Sequence, residues 1–499
     1  MVARAIYNLT IEDLDDSCDD DTPIIRAAAK PNPAILEALL AHHAKASAKE
    51  NLSYRERTQL ERLGPSATVC GTACNIFVSP IKSAIRAHLP HNLRLLLAAG
   101  ASPDGIDRIS ISDYSVRWIR GRNFKDDVSS FVMCKPRAIV LANAERKGIV
   151  HQLCPLTSEE LDERCHGFPR FWTEPNVPGQ RLRMERALTA LEVAAQVGDV
   201  ESLDILRAAG ADESAWVREV SLDEKQFQID EAEWYLSYLS TSSPVHEAIA
   251  AGQQSMLRHL LSTSGYSPNY RPYAAPTVAL PPLSYAIARC NLSDPGVQKC
   301  LVDLLSHPKL EVNLRTPIFN IHPLHFATAH HDPDLLSWLE TFIPGGYEAA
   351  GVTGLGHTLL HIAALPFTAT QIVDRNPDVA KSIHSARTLD STWIPHRLPS
   401  PLHREFSTAE LIGLGCKVSP MTEAQQLAQQ GTIRVLLEWG GVDVRAKDVE
   451  GNTALHYLAG TLNMSEDTIE MVRQMEGGEE VWEMSENCYG VTPKKMWGE

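Results

Sequence analysis

The sequence predicts an all-α fold made of one small helix–turn–helix unit, repeated and stacked. Two observations lead to that class. Residues 356–364 read Gly-His-Thr-Leu-Leu-His-Ile-Ala-Ala and residues 451–459 read Gly-Asn-Thr-Ala-Leu-His-Tyr-Leu-Ala. Weaker copies run through the rest of the chain, and such self-similarity marks a stack of one unit. Behind most copies comes a second apolar stripe at helical spacing, so the unit is a pair of short amphipathic helices. The composition agrees: 44% of the 499 residues are hydrophobic but only 6% aromatic. Small and aliphatic side chains therefore fill the core, as closely packed short helices need, and a disordered chain is ruled out.

The clearest unit is Thr189–Asp212. Thr189 supplies an N-cap hydroxyl, and Leu191, Ala194 and Ala195 give the first helix a narrow, small-residue face. Gly198 ends it, because glycine enters the left-handed C-cap without strain. Leu203 and Leu206 form the stripe of the second helix, which Gly210 closes. Neither helix buries its face alone, so the unit is stable only against a neighbour.

The same offsets recur in chain order. Thr22-Pro23-Ile24 leads to Ile35, Leu36, Leu39 and Leu40, and Ser79-Pro80-Ile81 to Leu96, Leu97 and Gly100. After the Thr189 copy, Ser243-Pro244-Val245-His246 leads to Gly252, Leu257, Leu260 and Leu261. Pro282-Leu283-Ser284 leads to Leu301, Leu304 and Leu305, and His322-Pro323-Leu324-His325 to Leu335, Leu336 and Leu339. The copy at Thr358 is followed by Ser419-Pro420-Met421 with Leu436, Leu437 and Gly440, then by the copy at Thr453 and a truncated Gly490-Val491-Thr492-Pro493. Proline at the first helical position is expected, since its missing donor is not needed there.

The repeated phrase resembles the helix-opening signature of the ankyrin repeat, Thr-Pro-Leu-His-x-Ala-Ala. The resemblance covers nine copies in one frame and a partial C-terminal cap. It implies an ankyrin-repeat solenoid of stacked helix–turn–helix units with short hairpin loops, whose hairpins and inner helices form a concave face. Segment 440–448 looks like the hairpin that precedes the next repeat. The spacing departs from the family period of about 33 residues, with excess at 41–78, 106–186 and 366–417. The organisation expected is an acidic leader at 1–21, repeats 1–2 at 22–105 and an insertion or degenerate repeats at 106–186. Repeats 3–7 follow at 187–365, a proline-containing insertion at 366–417, and repeats 8–9 with the truncated cap at 418–499.

The formal net charge of −16 opposes a phosphate backbone, so a broad nucleic-acid footprint is not expected. No apolar run approaches the roughly 18 residues of a membrane helix, and the first ten residues lack a signal-peptide core. Ten scattered cysteines suit reduced thiols, hence a cytoplasmic or nuclear setting. His246, His325, His361 and His456 share the fourth place of the opening phrase. In the family this sequence resembles, that histidine ties neighbouring turns together, so all four are read as scaffold. His151, Cys154, Cys165 and His166 have the chemistry of a tetrahedral zinc site without a recognised spacing, and Cys70 with Cys74 is weaker still. No nucleophile elbow, phosphate loop or dinucleotide fingerprint is present.

These readings point to a monomeric, non-catalytic scaffold or adaptor with a protein partner and no cofactor. The alternatives are an enzyme with its active site in the insertions, or a substrate receptor of a ubiquitin-ligase-type assembly. In a stack of this kind the residue after the fourth place faces the concave side. That column offers Tyr285, Phe326, Ile362 and Tyr457 as a candidate partner-binding stripe, unless an insertion folds over it and makes it core.

Overall fold

The computed structural model describes residues 22–53, 56–57, 60, 63–67, 69–70, 77–105, 188–213, 243–270, 280–315, 321–353, 356–365, 422–448, 451–461, 464–487 and 490–498. The leader 1–21 and the insertions 106–186 and 366–417 lie outside them, and so do Cys74, His151, Cys154, Cys165 and His166. The described residues form two compact units, one drawn from 22–105, 188–270 and 289–309, the other from 280–288 and 310–498. Both are helical. The strand pair described is Val69–Cys70 (β1) against Phe77–Val78 (β2), antiparallel, with Val69 opposite Val78.

The first unit contains the pairs α1 (Pro23–Ala28) with α2 (Ala34–Ser47), α3 (Pro80–Arg86) with α4 (Pro90–Ala98), α5 (Ala190–Val197) with α6 (Val200–Ala208), and α7 (Pro244–Ala250) with α8 (Gln254–Arg258). A π-helical turn, His259–Thr263, continues α8. Every inner helix opens alike: the hydroxyl of Thr22, Ser79, Thr189 or Ser243 accepts the amide three residues on. The inner helices α1, α3, α5 and α7 pack on one another in sequence. The turns into α4, α6 and α8 take a positive φ, at 77° and 65° in Gly198 and Gly252 and at 53° in His88. On α2, Leu36, Leu39 and Leu40 are buried as expected, whereas Ile35 faces out.

The stack closes directly across positions 106–187. The Ala190 amide donates to the Asp104 carbonyl at 2.8 Å, and a Cβ on Gly105 would lie 2.8 Å from that of Ala190. The outer helices are tied by the exposed Arg94–Glu201 ion pair at 2.7 Å and by a His259–Asp204 contact at 3.0 Å. Helix α9 (Pro282–Arg289) falls in the second unit through Ala288, and α10 (Pro295–Leu305) falls in the first. Arg258 of α8 forks onto Asp303 of α10.

The second unit continues with α11 (Pro323–Ala329), α12 (Pro333–Glu340), α13 (Gly346–Ala350), α14 (Leu359–Ala364) and α15 (Glu423–Trp439). It ends with α16 (Ala454–Ala459), α17 (Glu466–Arg473), α18 (Gly478–Met484) and α19 (Pro493–Trp497). Here one sequence expectation is corrected. The repeat expected to open at Ser419-Pro420-Met421 starts outside the described residues, and from its Thr422 cap the chain runs as a single 17-residue helix, 423–439, in place of the helix pair expected. It packs as the outer partner of α14 and beside the outer helix α12, while α16 packs directly on α14. The Gln429 amide group seals this pairing, donating to the Ala363 and Leu365 carbonyls at 2.9 and 3.0 Å. The short helices α13 and α18 were not foreseen. Each opens at a Gly-Gly pair, Gly345-Gly346 and Gly477-Gly478, with positive φ at the first glycine.

Candidate interaction surface

A polar ladder runs under the inner face of the second unit, and it decides what the candidate stripe is able to do. Three turns are built alike. Thr353, Asp448 and Asn487 each pair their backbone amide with a carbonyl four residues on, at His357, Asn452 and Val491. Their side-chain oxygens take the returning amide at 3.1, 2.9 and 3.1 Å. The fourth-place histidine of each repeat then donates from Nε2 to the turn of the next. His325 reaches the His357 carbonyl at 3.2 Å, His361 reaches Asn452 at 3.0 Å and His456 reaches Val491 at 3.0 Å. The scaffold reading of these three histidines is thus what the geometry displays. In the first unit, His246 Nδ1 meets the Ser243 hydroxyl at 2.7 Å.

The ladder passes from His361 directly to Asn452, 91 residues on. Burial sets its electrostatics. Desolvation pushes the His361 and His456 imidazoles down to about 4, against the opposing pull of Asp448, and holds His325 well below the ordinary histidine range. His322, which caps α11 in place of threonine, falls to about 3 through burial and the Arg315 charge. Burial alone would raise Asp448, yet its contacts with His357 and Tyr457 bring the carboxyl down to about 2.

The proposed stripe lands on this ladder. Phe326, Ile362 and Tyr457 are 2%, 0% and 0% exposed, and Tyr285 is half-buried. The expectation of four presented side chains is therefore corrected for three of them. Tyr457 shows the physical reason: its hydroxyl donates to Asp448 Oδ2 and sits 3.2 Å from His357 Nε2. The residue after the fourth place has turned into the seam between repeats and closes a buried triad with the preceding turn. Sequence reasoning missed this triad. Its only signal was the tyrosine at position 457 with an aspartate nine residues before it.

In the first unit the fourth place carries Lys82 and Glu192, both 0% exposed, where the second carries histidines. Glu192 closes the capping box of α5 by accepting the Thr189 amide at 2.7 Å. Burial first, then Arg86, lowers the Lys82 amine to about 7, with Glu192 opposing. Cys290 and Cys300 are free thiols pushed up to about 12, chiefly by burial. Among the described residues no group of three metal-binding side chains converges. Among them, too, no helix is long and apolar enough to cross a membrane.

No family model matches the chain, and no curated protein does. The crystal structure of the human ASB11 ankyrin repeat domain aligns over 68% of this chain and 90% of its own, at 14% identity and a TM-score of 0.34. The ankyrin repeat domain of Bcl-3, described as a unique member of the IkappaB protein family, aligns over 62% of this chain and 95% of its own, at 18% identity and a TM-score of 0.25. Similarity at that level bears no weight here. Each unit is a stack of ankyrin-type helix pairs on its own geometry, with a capped inner helix, a positive-φ corner and an outer helix; the second unit adds the histidine rung.

Proposed function

We propose that this protein is a non-catalytic interaction scaffold that holds a protein partner. The observation that carries the reading is the pre-organised polar ladder, which keeps successive inner helices in one fixed arrangement. A surface held rigid before binding loses little conformational entropy when a partner arrives. A stack of repeats also extends one face over many residues with no need for a catalytic centre.

The contact surface is narrower than the four-residue column. Tyr285, half-buried on α9, is the member still partly accessible, and an aromatic side chain suits an interface anchor. Phe326, Ile362 and Tyr457 support the seam beneath. The test is affinity capture with the tagged full-length chain, followed by calorimetry with the purified partner. A stoichiometric protein complex, weakened at least tenfold by Tyr285→Ala with an unchanged melting temperature, supports the reading. Turnover of a small molecule by the purified chain, with no protein retained, overturns it.

A further inference from the structure

The inner helices of the first two pairs carry cations and no carboxylate. Helix α1 reads Pro-Ile-Ile-Arg-Ala-Ala and runs on through Ala29 to Lys30, and α3 reads Pro-Ile-Lys-Ser-Ala-Ile-Arg. Arg26 and Lys30 are exposed and Arg86 is half-buried, while Lys82 on α3 is fully enclosed. The two helices pack on each other, and the caps Thr22 and Ser79 set them in one register. In that register Arg26 stands level with Ser83, and Arg86 with Ala29, the neighbour of Lys30. Packed helices lie about 8–10 Å apart, so the three accessible cations share one patch. The next inner helix ends the run: Gln196 on α5 stands level with Arg86 and donates to Glu247 at 3.0 Å.

A patch of this sign is the exception in a chain of net charge −16. Burial, and after it Arg86, lower the Lys82 amine, so a carboxylate set beside Arg86 offsets a repulsion already present. The complementary charge adjoins the patch in sequence. Glu12, Asp13, Asp15, Asp16, Asp19, Asp20 and Asp21 lead directly into Thr22, the cap of α1. The start of α1 is not their seat, since the helix is six residues long and the Thr22 hydroxyl already takes the Ile25 amide.

We propose that the cationic face of α1 and α3 is a docking surface for an acidic peptide segment, and that its occupant is the chain's own leader, residues 12–21, lying antiparallel to α1. The lengths agree. At a rise of 1.5 Å per residue, Arg26 lies about 6 Å and Lys30 about 12 Å along the helix from the cap. An extended chain covers about 3.3 Å per residue. With about two residues spent on the reversal, Asp19 comes beside Arg26, and Asp15 and Asp16 come level with Lys30 and Arg86. The tether holds the leader near the patch at a local concentration of about millimolar, whatever the protein concentration. Exposed ion pairs are individually weak and screened by salt, so the contact is one that salt dissolves. While it lasts, the inner face of the first two pairs is closed to an acidic segment from outside. The contact is independent of the partner reading above: Tyr285 is on α9 in the second unit, and a chain that captures no partner still holds its leader.

The test is zero-length carbodiimide coupling of the full chain at low salt, which joins an amine to a carboxylate in contact, with the linked peptides identified by mass spectrometry. Lys30 should couple mainly to Asp15 or Asp16, and the yield should fall at least tenfold in R26A/R86A and at about 1 M salt, where screening reaches about 3 Å. Links spread evenly over the leader carboxylates, or a yield unchanged in R26A/R86A, overturn the proposal, because a solvated tail tethered near Lys30 gives both. If R26A/R86A does not fold, a second chain decides, with asparagine at the six leader aspartates upstream of the first helix. Its Lys30 should be acetylated at least threefold faster than in wild type, measured against Lys45 and Lys49, which are exposed in the same molecule. Equal ratios in the two chains refute the docking. Shielding of Lys30 by added polyglutamate, with none by the leader, assigns the face to an outside acidic segment and overturns the occupant named here.

Discussion

Lys82 offers the sharpest quantitative test of how buried charge is accommodated in the first unit. Its side chain is fully enclosed between α3 and α5, and burial, reinforced by Arg86, takes the amine from 10.5 to about 7. An unfolded lysine keeps its proton up to 10.5, so between 7 and 10.5 the unfolded state binds more protons than the folded one. Stability of the first unit should therefore rise with pH across that interval, opposite to the behaviour of a lysine that gains a salt bridge on folding. At 1.36 kcal/mol per unit, the full cost of holding the charged amine is about 5 kcal/mol, of which about 2 kcal/mol is relieved between pH 7 and pH 9. The perturbation is Lys82→Met with Glu192→Gln. Methionine fills the volume without the charge, and glutamine keeps an oxygen for the Thr189 amide, now 2.7 Å from Glu192 Oε2. Replacing both members of a buried charged pair avoids the orphan that a single change would leave. The double variant should be more stable than wild type at pH 7 and should lose the rise towards pH 9. The readout is hydrogen exchange over Pro80–Arg86 and Ala190–Val197, with urea unfolding followed by circular dichroism. Wild-type protection that is flat or falls from pH 7 to 9, or a double variant with the same pH slope, would refute the reasoning.

Two further outcomes are expected. Leu455→Asp places a carboxylate at a position 0% exposed on α16, an uncompensated burial worth several kcal/mol; because repeats support only their neighbours, the loss should concentrate in α14 to α19, and a variant that melts like the parent would show the register there to be wrong. The stretch 106–186 should hold no stoichiometric metal after native purification, and one zinc per chain by elemental analysis, lost on replacing Cys154 and Cys165, would revive the enzyme reading.

The repeat itself was legible because its parts are local. A threonine or serine hydroxyl capping the third amide on, a proline at the first helical position and a glycine at a positive-φ corner each act within a few residues, so Thr189, Pro244 and Gly198 announce their roles in the bare sequence. The fourth-place histidines were legible for the same reason at one remove: their spacing from the cap is fixed, and their rungs were implied by the resemblance. What misled was Ser419-Pro420-Met421, a good copy of the opening phrase whose following residues continue as one outer helix.

Which repeats adjoin was decided only by the tertiary structure. Leu365 and Gln429 meet, and so do Asp104 and Ala190, although they lie 64 and 86 positions apart in sequence. No local pattern encodes that adjacency, since it depends on which apolar faces find each other. The fate of the aromatic column was likewise a tertiary matter. Helical spacing places Phe326, Ile362 and Tyr457 on one side of their helices. Whether that side meets water or a neighbouring turn depends on groups as distant in sequence as His357 and Tyr457, whose contact at 3.2 Å spans 100 residues. The sequence by itself determined the unit, its caps and its corners, because those are short-range hydrogen bonds and dihedral preferences. The order of stacking, the buried triad and the closure of the stripe arose from desolvation and packing between units, which act on residues only once the chain has brought them together.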